Sequence, residues 1–572
     1  MNSSSKLYNT FIDKRYIFTL AIFIFFSASA SAQFNKYIIR FKDKAGTPFS
    51  ISNPTQFLSA KALARRSKQK ISLDETDLPV TPAYIDSVRL AGNVRILNNS
   101  KWLNDVCIET TDDAALAKIN SFSFVINSQP VMRPVSVQSP VNNKFNEQVN
   151  NITSPVTANN VSDFYNYGSS ASQIQIHEGE YLHNKGFRGE GMLVAILDAG
   201  FYHYLSLSAF DSVRGDNQIA ETYDFVDNEK SVDEDHYHGM QCFSIMAANI
   251  PGQLVGSSPK ATYYLYRTED VNSESLVEEQ YWAVAAERAD SIGVDVISTS
   301  LGYNQFDNPV FNHTYADMNG NTTLIANAAD LAAKKGMIVV VAAGNEGNNA
   351  WHYITTPADA DSVLTVGGVN SSGMVGGFSS YGPSADGQIK PAIASVGVGT
   401  ALFNINNQVS SGNGTSYATP NIAGLITCLW EAFPEFSNME IISAVEKSSS
   451  IYNAPDNRIG YGIPNFHIAY DALLQQRIAK NMVSILGDKK IKVFPNPFNS
   501  EFSVLLKPAD SGTGTFALYD MSGKLYLLKT ISLQQNQVQL IKFNGNQPLA
   551  KGAYILRFFD GKTSENFQLL MQ

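Results

Sequence analysis

The sequence predicts an α/β fold: a central domain with a doubly wound parallel sheet, preceded by a small α+β domain and followed by an all-β sandwich. Between residues 162 and 475, short continuous apolar segments alternate with segments of helical periodicity. This pattern is typical of a parallel sheet covered by helices on both faces. Residues 33–133 mix strand and helix patterns over a shorter span. Residues 488–572 contain short strand-like segments separated by turn residues, which favours a sandwich.

The composition indicates folded domains and argues against nucleic acid as the main partner. Hydrophobic residues make up 44% of the 572 residues and aromatic residues 11%, enough for several buried cores. The formal net charge is −10, and no basic stripe is present. The three cysteines, Cys107, Cys242 and Cys428, are too few for a disulfide framework in a chain of this length.

Residues 1–32 have the pattern of an export signal. Lys14 and Arg15 precede an apolar segment at residues 16–26, and small residues follow up to Ala32. The apolar segment is too short to span a bilayer as a stable helix, and no later segment is long and apolar enough to do so. We therefore predict a signal peptide cleaved after Ala32, and an exported protein without a transmembrane span.

Residues 33–133 are predicted to form the small α+β domain. A free-standing binding domain is one interpretation of it, and a propeptide is the interpretation that its position favours. Four basic residues lie on the first predicted helix, and we interpret them as a solvated face rather than a nucleic-acid patch: Lys61, Arg65, Arg66 and Lys68. Strands are predicted at residues 36–41, 94–97, 105–109 and 122–126, and helices at residues 54–68 and 112–119.

Residues 134–161 are predicted to be a linker. They are rich in Val, Pro, Ser and Asn and have no apolar periodicity. Exposed segments of this kind are where proteolytic nicking concentrates. We therefore place the processing site in this segment.

The predicted strands of the central domain, residues 162–475, indicate where a functional site should lie. In open α/β sheets, functional residues lie at the carboxyl ends of the strands. Strands are predicted at residues 192–197, 262–266, 294–298, 337–342 and 363–366, and helices at residues 239–249, 275–291, 322–335, 417–430 and 438–446.

Four polar residues of this domain suit nucleophilic catalysis. Asp198 ends a buried strand, His238 opens a helix, and Ser416 follows a Gly-Asn-Gly-Thr turn at the start of another helix. A serine needs a base to accept its proton, and the imidazole needs a carboxylate to fix its tautomer. Asn345 follows a further strand and offers an amide donor for an oxyanion. Taken singly, a strand-end Asp that caps a turn and a surface His are the ordinary alternatives.

The segments around these residues resemble the subtilases, the subtilisin-like serine peptidases. The matches are V-A-I-L-D-A-G at Asp198, H-G at His238, V-V-A-A-G-N at Asn345 and G-T-S-Y-A-T-P at Ser416. The resemblance implies that Asp198 orients His238, His238 acts as general base and then acid, and Ser416 is the nucleophile. It further implies an oxyanion hole formed by Asn345 and the Ser416 backbone, and an inhibitory propeptide at residues 33–133. Ser300, Leu301 and Gly302 resemble the family's substrate-pairing segment.

The sequence departs from the family pattern in two places near the site. Ala199 stands where the family usually has Ser or Thr, and Ala392 replaces the acid of the K-P-D-I segment. Cys242 is either a thiol beneath the active site or a buried small residue. Tyr303 is a candidate lining residue of the specificity pocket.

Chemistry in this family needs no cofactor, but subtilases often bind structural Ca²⁺. Two loops offer oxygen ligands, although a solvated loop is the alternative for each. The first is residues 233–235, and the second is the turn containing Asp317, Asn319 and Asn321.

The final domain, residues 488–572, resembles the C-terminal sorting domain of the type IX secretion system of Bacteroidetes. The residues that carry this resemblance are Val493-Phe494-Pro495-Asn496-Pro497, Gly523-Lys524 and Gly552-Ala553-Tyr554. It implies passage through the periplasm and across the outer membrane, then release or surface attachment. A carbohydrate-binding or adhesion sandwich is the alternative. Strands are predicted at residues 491–494, 501–506, 515–519, 525–529, 537–543, 553–559 and 565–570.

The sequence thus predicts a secreted serine endopeptidase that acts on protein or peptide substrates and removes its own propeptide. Its partners would be that propeptide, as an intramolecular inhibitor, and the type IX secretion machinery. An inactive surface adhesion or scaffold protein is one alternative, and a peptide ligase that uses the same acyl-enzyme is another.

Overall fold

The computed structural model describes residues 35–132, 145, 147, 149–151, 163–499, 501–544 and 549–572. The chain divides into two compact units, Met1–Ala469 and Tyr470–Gln572, and each is described by itself. The predicted signal peptide lies outside the described residues. Within the described ranges, no helix combines the length and apolar character needed to cross a membrane.

The N-terminal domain is a four-stranded antiparallel sheet packed against helices. The strand order is β2-β3-β1-β4, and Ile39, Val106 and Ile108 of the sheet pack with Val88 and Ile119 of the helices. The predicted α+β pattern is therefore confirmed. The elements are β1 (Lys36–Phe41), α1 (Ala60–Gln69), α2 (Pro82–Arg89), β2 (Arg95–Ser100), β3 (Asp105–Glu109), α3 (Asp113–Asn120) and β4 (Val125–Met132).

Three elements of this domain differ from the prediction, one of them the strand expected at residues 122–126, which is β4 at Val125–Met132. The helix expected at residues 54–68 starts later, because the Ser59 side chain caps α1 by accepting a hydrogen bond from the Ala62 N–H. Pro54–Gln56 forms a separate short 3₁₀ turn. Helix α2 is an addition to the predicted pattern and starts with Pro82, which suits a first helical position.

The central domain is built on a seven-stranded sheet in the order β14-β13-β12-β11-β6-β10-β7, and its strand pairs are parallel. Its strands are β6 (Leu193–Asp198), β7 (Ile219–Asp224), β10 (Thr262–Arg267), β11 (Val296–Thr299), β12 (Ile338–Ala342), β13 (Leu364–Val369) and β14 (Ile393–Val396). Its helices are α4 (Ala171–Gln175), α5 (Glu180–Asn184), α6 (Asp211–Gly215), α7 (His238–Ala247), α8 (Val277–Ile292), α9 (Leu324–Lys334), α10 (Thr415–Ala432) and α11 (Asn438–Lys447).

Helices cover both faces of this sheet. Helices α8 and α9 pack on one face, against residues such as Leu197 and Val341. Helices α7 and α10 pack on the other face. Because alternate strand residues point to opposite faces, both sets must be apolar, which explains the continuous apolar segments in the sequence. The predicted doubly wound parallel sheet is confirmed.

Two small antiparallel sheets complete this unit. One has the order β15-β16-β5, and its outer strand β5 lies within the segment predicted to be an irregular linker. That strand forms through tertiary pairing with β16, which a local sequence pattern does not reveal. The strands are β5 (Val149–Asn151), β8 (Asn249–Ile250), β9 (Leu254–Val255), β15 (Val398–Phe403) and β16 (Val409–Asn413).

The C-terminal unit contains two antiparallel sheets, in the orders β17-β18-β21 and β20-β19-β22-β23. Phe502, Phe516, Phe543 and Phe558 are buried between them. The predicted β-rich domain is confirmed, with each predicted strand recovered. Helix α12 (Phe466–Leu486) starts in the first unit and ends in this one. The strands are β17 (Ile491–Phe494), β18 (Glu501–Leu506), β19 (Gly512–Asp520), β20 (Leu525–Leu533), β21 (Gln539–Asn544), β22 (Gly552–Phe559) and β23 (Ser564–Met571).

Candidate active site

Asp198 and His238 form a buried pair at the carboxyl edge of the central sheet. Asp198 is the last residue of β6, and His238 is the first residue of α7. His238 Nδ1 lies 2.7 Å from Asp198 Oδ1, and the two side chains are 1% and 0% exposed. Asp198 Oδ1 also accepts a hydrogen bond of 2.7 Å from the Ala199 N–H. This contact fixes the orientation of the imidazole and leaves Nε2 as its working nitrogen.

The second oxygen of Asp198, Oδ2, is buried and has no hydrogen-bond partner among the described residues. The neighbouring Ala199 has no hydroxyl to offer, as its departure from the family pattern implies. The Cys242 thiol lies close by, with the side-chain ligand atoms of Asp198, His238 and Cys242 within 4.8 Å of one another. Cys242 is fully buried, and burial raises the pKa of its thiol well above the usual value. The thiol is therefore a protonated group beneath the site.

Ser416 is the second residue of α10, where the backbone N–H groups have no intrahelical partners. Its carbonyl oxygen accepts hydrogen bonds from Ser300 Oγ at 2.8 Å and from Cys242 Sγ at 3.4 Å. Asn345 follows β12, and its Oδ1 accepts a 2.9 Å hydrogen bond from the Thr415 N–H. That bond fixes the amide so that its Nδ2 donor faces the Ser416 hydroxyl side of the cleft.

The structure places a fifth polar group, Glu147, among these residues. Glu147 Oε1 accepts a hydrogen bond from Ser416 Oγ at 2.9 Å and another from Asn345 Nδ2 at 3.2 Å. The same oxygen lies 3.5 Å from His238 Nε2, and the Glu147 side chain is 5% exposed. Sequence reasoning did not identify Glu147. The available signal was the alternation of Phe145, Glu147 and Val149 in an otherwise polar segment.

The charges of this cluster stabilise a protonated imidazole. Burial opposes the charge, but the carboxylates of Asp198 and Glu147 outweigh it and raise the pKa of His238 to about 10. Burial also opposes ionisation of Glu147, but His238 and the hydrogen bonds lower the pKa of that carboxyl. The neighbouring His236 stays neutral, because burial and the His238 charge lower its pKa to about 4.

An open cleft of about 860 Å³ leads away from Ser416. Ser300, Leu301 and Gly302 line it, and their role in substrate binding stays a prediction. Tyr303 does not line it, and that prediction is wrong. Its side chain is 1% exposed because its hydroxyl donates a hydrogen bond to the buried Glu269. Lining residues that the sequence did not point out are Glu274, Asn304, Gln305, Glu346, Asn348, Asn349, Trp351 and Thr355.

The basic residues of α1 are not all a solvated face. Arg65 and Arg66 are 5% and 2% exposed, and both pair with Asp290 of α8. Beside them, the Glu287 carboxylate accepts hydrogen bonds from the backbone N–H groups of Lys101 at 2.8 Å and Trp102 at 3.1 Å. The N-terminal domain is thus docked on helix α8 of the central domain through buried polar contacts.

The turn proposed to bind Ca²⁺ uses its oxygen atoms internally. Asp317 Oδ2 accepts hydrogen bonds of 2.7 Å from both the N–H and the hydroxyl of Thr314. Asn319 Oδ1 accepts hydrogen bonds from the Asn321 N–H at 2.9 Å and the Thr322 hydroxyl at 3.0 Å. These residues therefore do not fit a calcium site as arranged, and bound Ca²⁺ stays a prediction.

The other acidic loop has a guanidinium in its centre. Arg267 Nη1 lies 3.0 Å from Asp235 Oδ1, 2.6 Å from Asp224 Oδ2 and 2.8 Å from Asp227 Oδ2. These three carboxylates form a cluster of the size that binds a cation. Arg267 already supplies that positive charge.

Comparison with known proteins matches all three domains to families. Residues 189–462 match the subtilase family, residues 36–151 match the peptidase S8 propeptide domain of Bacteroidota, and residues 492–572 match the secretion system C-terminal sorting domain. The propeptide match extends past the predicted boundary at residue 133 and includes β5.

The curated relatives are bacterial proteases. A thermostable alkaline protease of Halalkalibacterium halodurans is 27% identical over 281 residues, which is 48% of this chain and 67% of the relative. Subtilisin amylosacchariticus of Bacillus subtilis subsp. amylosacchariticus is 29% identical over 293 residues, 50% of this chain and 68% of the relative. Subtilisin of Bacillus pumilus is 28% identical over 293 residues, 50% of this chain and 94% of the relative.

Proposed function

Residues 189–462 form a domain of the subtilase family of serine peptidases, and we propose that the chain is an exported endopeptidase that hydrolyses peptide bonds through an acyl-enzyme on Ser416. Its substrates are proteins or peptides. Asp198, His238 and Ser416 act as the catalytic triad, and Asn345 contributes to the oxyanion hole.

In the proposed reaction, His238 Nε2 takes the proton of Ser416 Oγ while Oγ attacks the carbonyl carbon of the scissile peptide bond. Asp198 holds the other imidazole nitrogen and stabilises the imidazolium. Asn345 Nδ2 and the Ser416 backbone N–H donate hydrogen bonds to the oxyanion. His238 then gives its proton to the leaving amine, and water repeats the same steps on the acyl-enzyme.

One observation carries this proposal: a single oxygen position lies close to the proposed nucleophile, the proposed base and one oxyanion donor. Glu147 Oε1 lies 2.9 Å from Ser416 Oγ, 3.2 Å from Asn345 Nδ2 and 3.5 Å from His238 Nε2. A substrate carbonyl group at that position would meet the nucleophile, the base and an oxyanion donor together.

The flanking domains account for the inhibition, the processing and the export of the proposed enzyme. The N-terminal domain, which matches the peptidase S8 propeptide, acts as the intramolecular inhibitor and is removed autocatalytically. The C-terminal domain directs export by the type IX machinery, after which the enzyme is secreted or held at the cell surface.

The test is the intact mass of the purified wild type beside Ser416→Ala, both expressed without residues 1–32. Ser206→Ala, which changes an exposed serine of the same domain, is the matched control. We expect the wild type and the control to lose their N-terminal domain and Ser416→Ala to stay full length. If all three stay full length and none cleaves unfolded protein, the scaffold alternative is favoured. Transfer of the acyl group to added amines in preference to water would favour the ligase.

A further inference from the structure

Three alternate residues of the N-terminal segment dock into the active site. The Phe145 ring lies 4.8 Å from the His238 ring and 5.3 Å from the His236 ring, measured between centroids. Glu147 contacts Ser416 and Asn345. Val149 packs against Cys242 and Tyr417 beside the site, so Phe145, Glu147 and Val149 all contact the same region of the enzyme. We call these three the latch residues.

The last latch residue is fixed by both its side chain and its backbone. Val149 packs against a buried cluster of Cys242, Ile245, Leu402 and Tyr417. Its strand β5 pairs antiparallel with β16, with Val149 opposite Gly412. Strand β16 ends at Asn413, three residues before Ser416. The pairing of β5 with β16 therefore places Val149 beside the segment that carries the nucleophile.

Glu147 prevents three catalytic functions at once. Its Oε1 accepts the Ser416 hydroxyl hydrogen, which directs that proton away from His238. It also occupies the Asn345 donor that an oxyanion needs. Finally, its negative charge 3.5 Å from His238 Nε2 favours the imidazolium, which is unable to act as a base.

We propose that Glu147 is an autoinhibitory residue that keeps the full-length enzyme latent by placing a carboxylate in the oxyanion hole against Ser416, Asn345 and His238. This inference rests on the proposed function. It also names a class of ligand for the mature enzyme: peptides that present an acidic side chain between an aromatic residue and a β-branched residue at alternate positions.

One oxygen of the Glu147 carboxylate weakens the binding of the latch residues. The second carboxylate oxygen of Glu147, Oε2, is buried and has no hydrogen-bond partner among the described residues. A buried charge with one unsatisfied oxygen is costly to keep in place. That cost offsets part of the affinity of Glu147 for the site, so the N-terminal domain that holds it in place contributes to the inhibition.

A different role for Glu147 makes the opposite prediction. If Glu147 were instead a recognition residue for the processing bond, its replacement would slow removal of the N-terminal domain. If Glu147 is autoinhibitory, its replacement accelerates both that removal and the reaction of Ser416 in the full-length chain.

The experiment measures how fast a fluorophosphonate probe labels Ser416 in the full-length chain, in freshly purified protein without residues 1–32. Glu147→Gln keeps the shape of the side chain and removes its charge, and Glu147→Ala removes the contacts as well. Glu75→Gln, an exposed acid of the same domain, is the control. Because charge-assisted hydrogen bonds are lost, we expect both Glu147 variants to label about 10- to 100-fold faster than the wild type, and Glu75→Gln to match the wild type.

The outcomes separate failure of this inference from failure of the proposed function. If Glu147→Gln labels at the wild-type rate or is processed more slowly, while the mature wild type cleaves protein, Glu147 is not the inhibitory group. If mature wild type and Ser416→Ala are equally unlabelled and inactive, the proposed function itself fails.

A peptide provides a second measurement that does not depend on how the variants fold. The peptide K-F-N-E-Q-V-N-N-I, residues 144–152, should inhibit cleavage of an unfolded protein by the mature enzyme. The same peptide with Gln in place of Glu should inhibit at least about tenfold less well. Equal inhibition by the two peptides would overturn the role of the carboxylate.

Discussion

Arg65 of the N-terminal domain and Asp290 of helix α8 form a buried ion pair, with Arg65 Nη2 2.5 Å from Asp290 Oδ1 and side chains 3% and 0% exposed. Arg66 extends the contact, since its Nη2 lies 2.7 Å from Asp290 Oδ2 and 2.8 Å from Asp77 Oδ1. One carboxylate of the enzyme thus pairs with two arginines of the domain that covers it. Removing that carboxylate would leave the buried Arg65 without its ion-pair partner and Arg66 with Asp77 alone.

We therefore expect Asp290→Ala to destabilise the docked N-terminal domain strongly. In the Ser416→Ala background, which should stay uncleaved, the free energy of unfolding should fall by about 3–5 kcal/mol, the usual cost of breaking a buried ion pair. Denaturant unfolding measures it. Asp86→Ala removes one partner of the exposed Arg89 pair and should change the same quantity by less than about 1 kcal/mol. Equal losses in the two variants would contradict the role of burial.

Asn345→Ala should lower kcat with little change in KM, because its amide donor is needed mainly when the oxyanion forms. The expected loss is about 100- to 1,000-fold, a range measured on a subtilisin. Steady-state cleavage of a fluorogenic peptide by the mature enzyme measures both constants. Asn348→Ala alters another cleft residue that does not contact the Glu147 position, and it should leave kcat within a few-fold of the wild type. An equal loss of kcat in the two variants would contradict a specific role of Asn345 in the oxyanion hole.

The sequence singles out these candidate residues because each lies next to a local signal. Asp198 ends an apolar strand, Asn345 follows another, and His238 and Ser416 lie at helix starts, so the sheet topology brings their segments to one edge. The pairing of Asp198 with His238, and the convergence of Ser416 and Asn345 on one oxygen, could be measured only in the structure.

Contacts between distant parts of the chain carry no such signal. The local pattern predicts a solvated Arg65, because its partner, Asp290, is 225 residues away in sequence. The alternation of Phe145, Glu147 and Val149 does not reveal what these residues contact. Glu147 bonds Ser416, which is 269 residues away, and the neighbouring β5 pairs with β16. Local patterns predict elements and strand ends, whereas the pairing of buried charges depends on the completed fold.

Gly239→Ala should impair catalysis although alanine favours helices. Gly239 is the second residue of α7, and an added Cβ would lie 2.5 Å from the Gly200 carbonyl oxygen and 2.8 Å from Asp198 Cβ. Asp198 or the start of α7 must then move, which overpacking data put at about 1–3 kcal/mol. We expect kcat/KM on the peptide substrate to fall at least about tenfold. Gly215→Ala is the control, because an added Cβ there meets no atom within 4 Å. If both variants keep full activity, the close approach of Gly239 to Gly200 and Asp198 does not exclude a larger residue at position 239.

The ion pair between Glu147 and His238 stabilises the docked latch residues only over a limited pH range. The pKa of Glu147 is lowered by docking, so its contribution is lost as the pH falls through that lowered value. The pKa of His238 is raised to about 10, mainly by Asp198 and then by Glu147, so its contribution is lost as the pH rises towards 10. His236 and Cys242 do not titrate between about pH 5 and pH 9, since burial lowers the pKa of His236 to about 4 and raises the pKa of Cys242 well above its usual value.

Because the base must be neutral to act, labelling of Ser416 in the full-length wild type should be slow near neutral pH and rise as the pH increases towards about 10. In Glu147→Gln, one of the two carboxylates that hold the imidazole proton is lost, so the midpoint of labelling against pH should move to lower pH. Asp198 remains in place, so some elevation of the pKa of His238 should persist. Probe labelling between about pH 5 and pH 10 measures both midpoints, with Glu75→Gln as the control. Superimposable profiles for the wild type and Glu147→Gln would mean that Asp198 alone sets the protonation of His238.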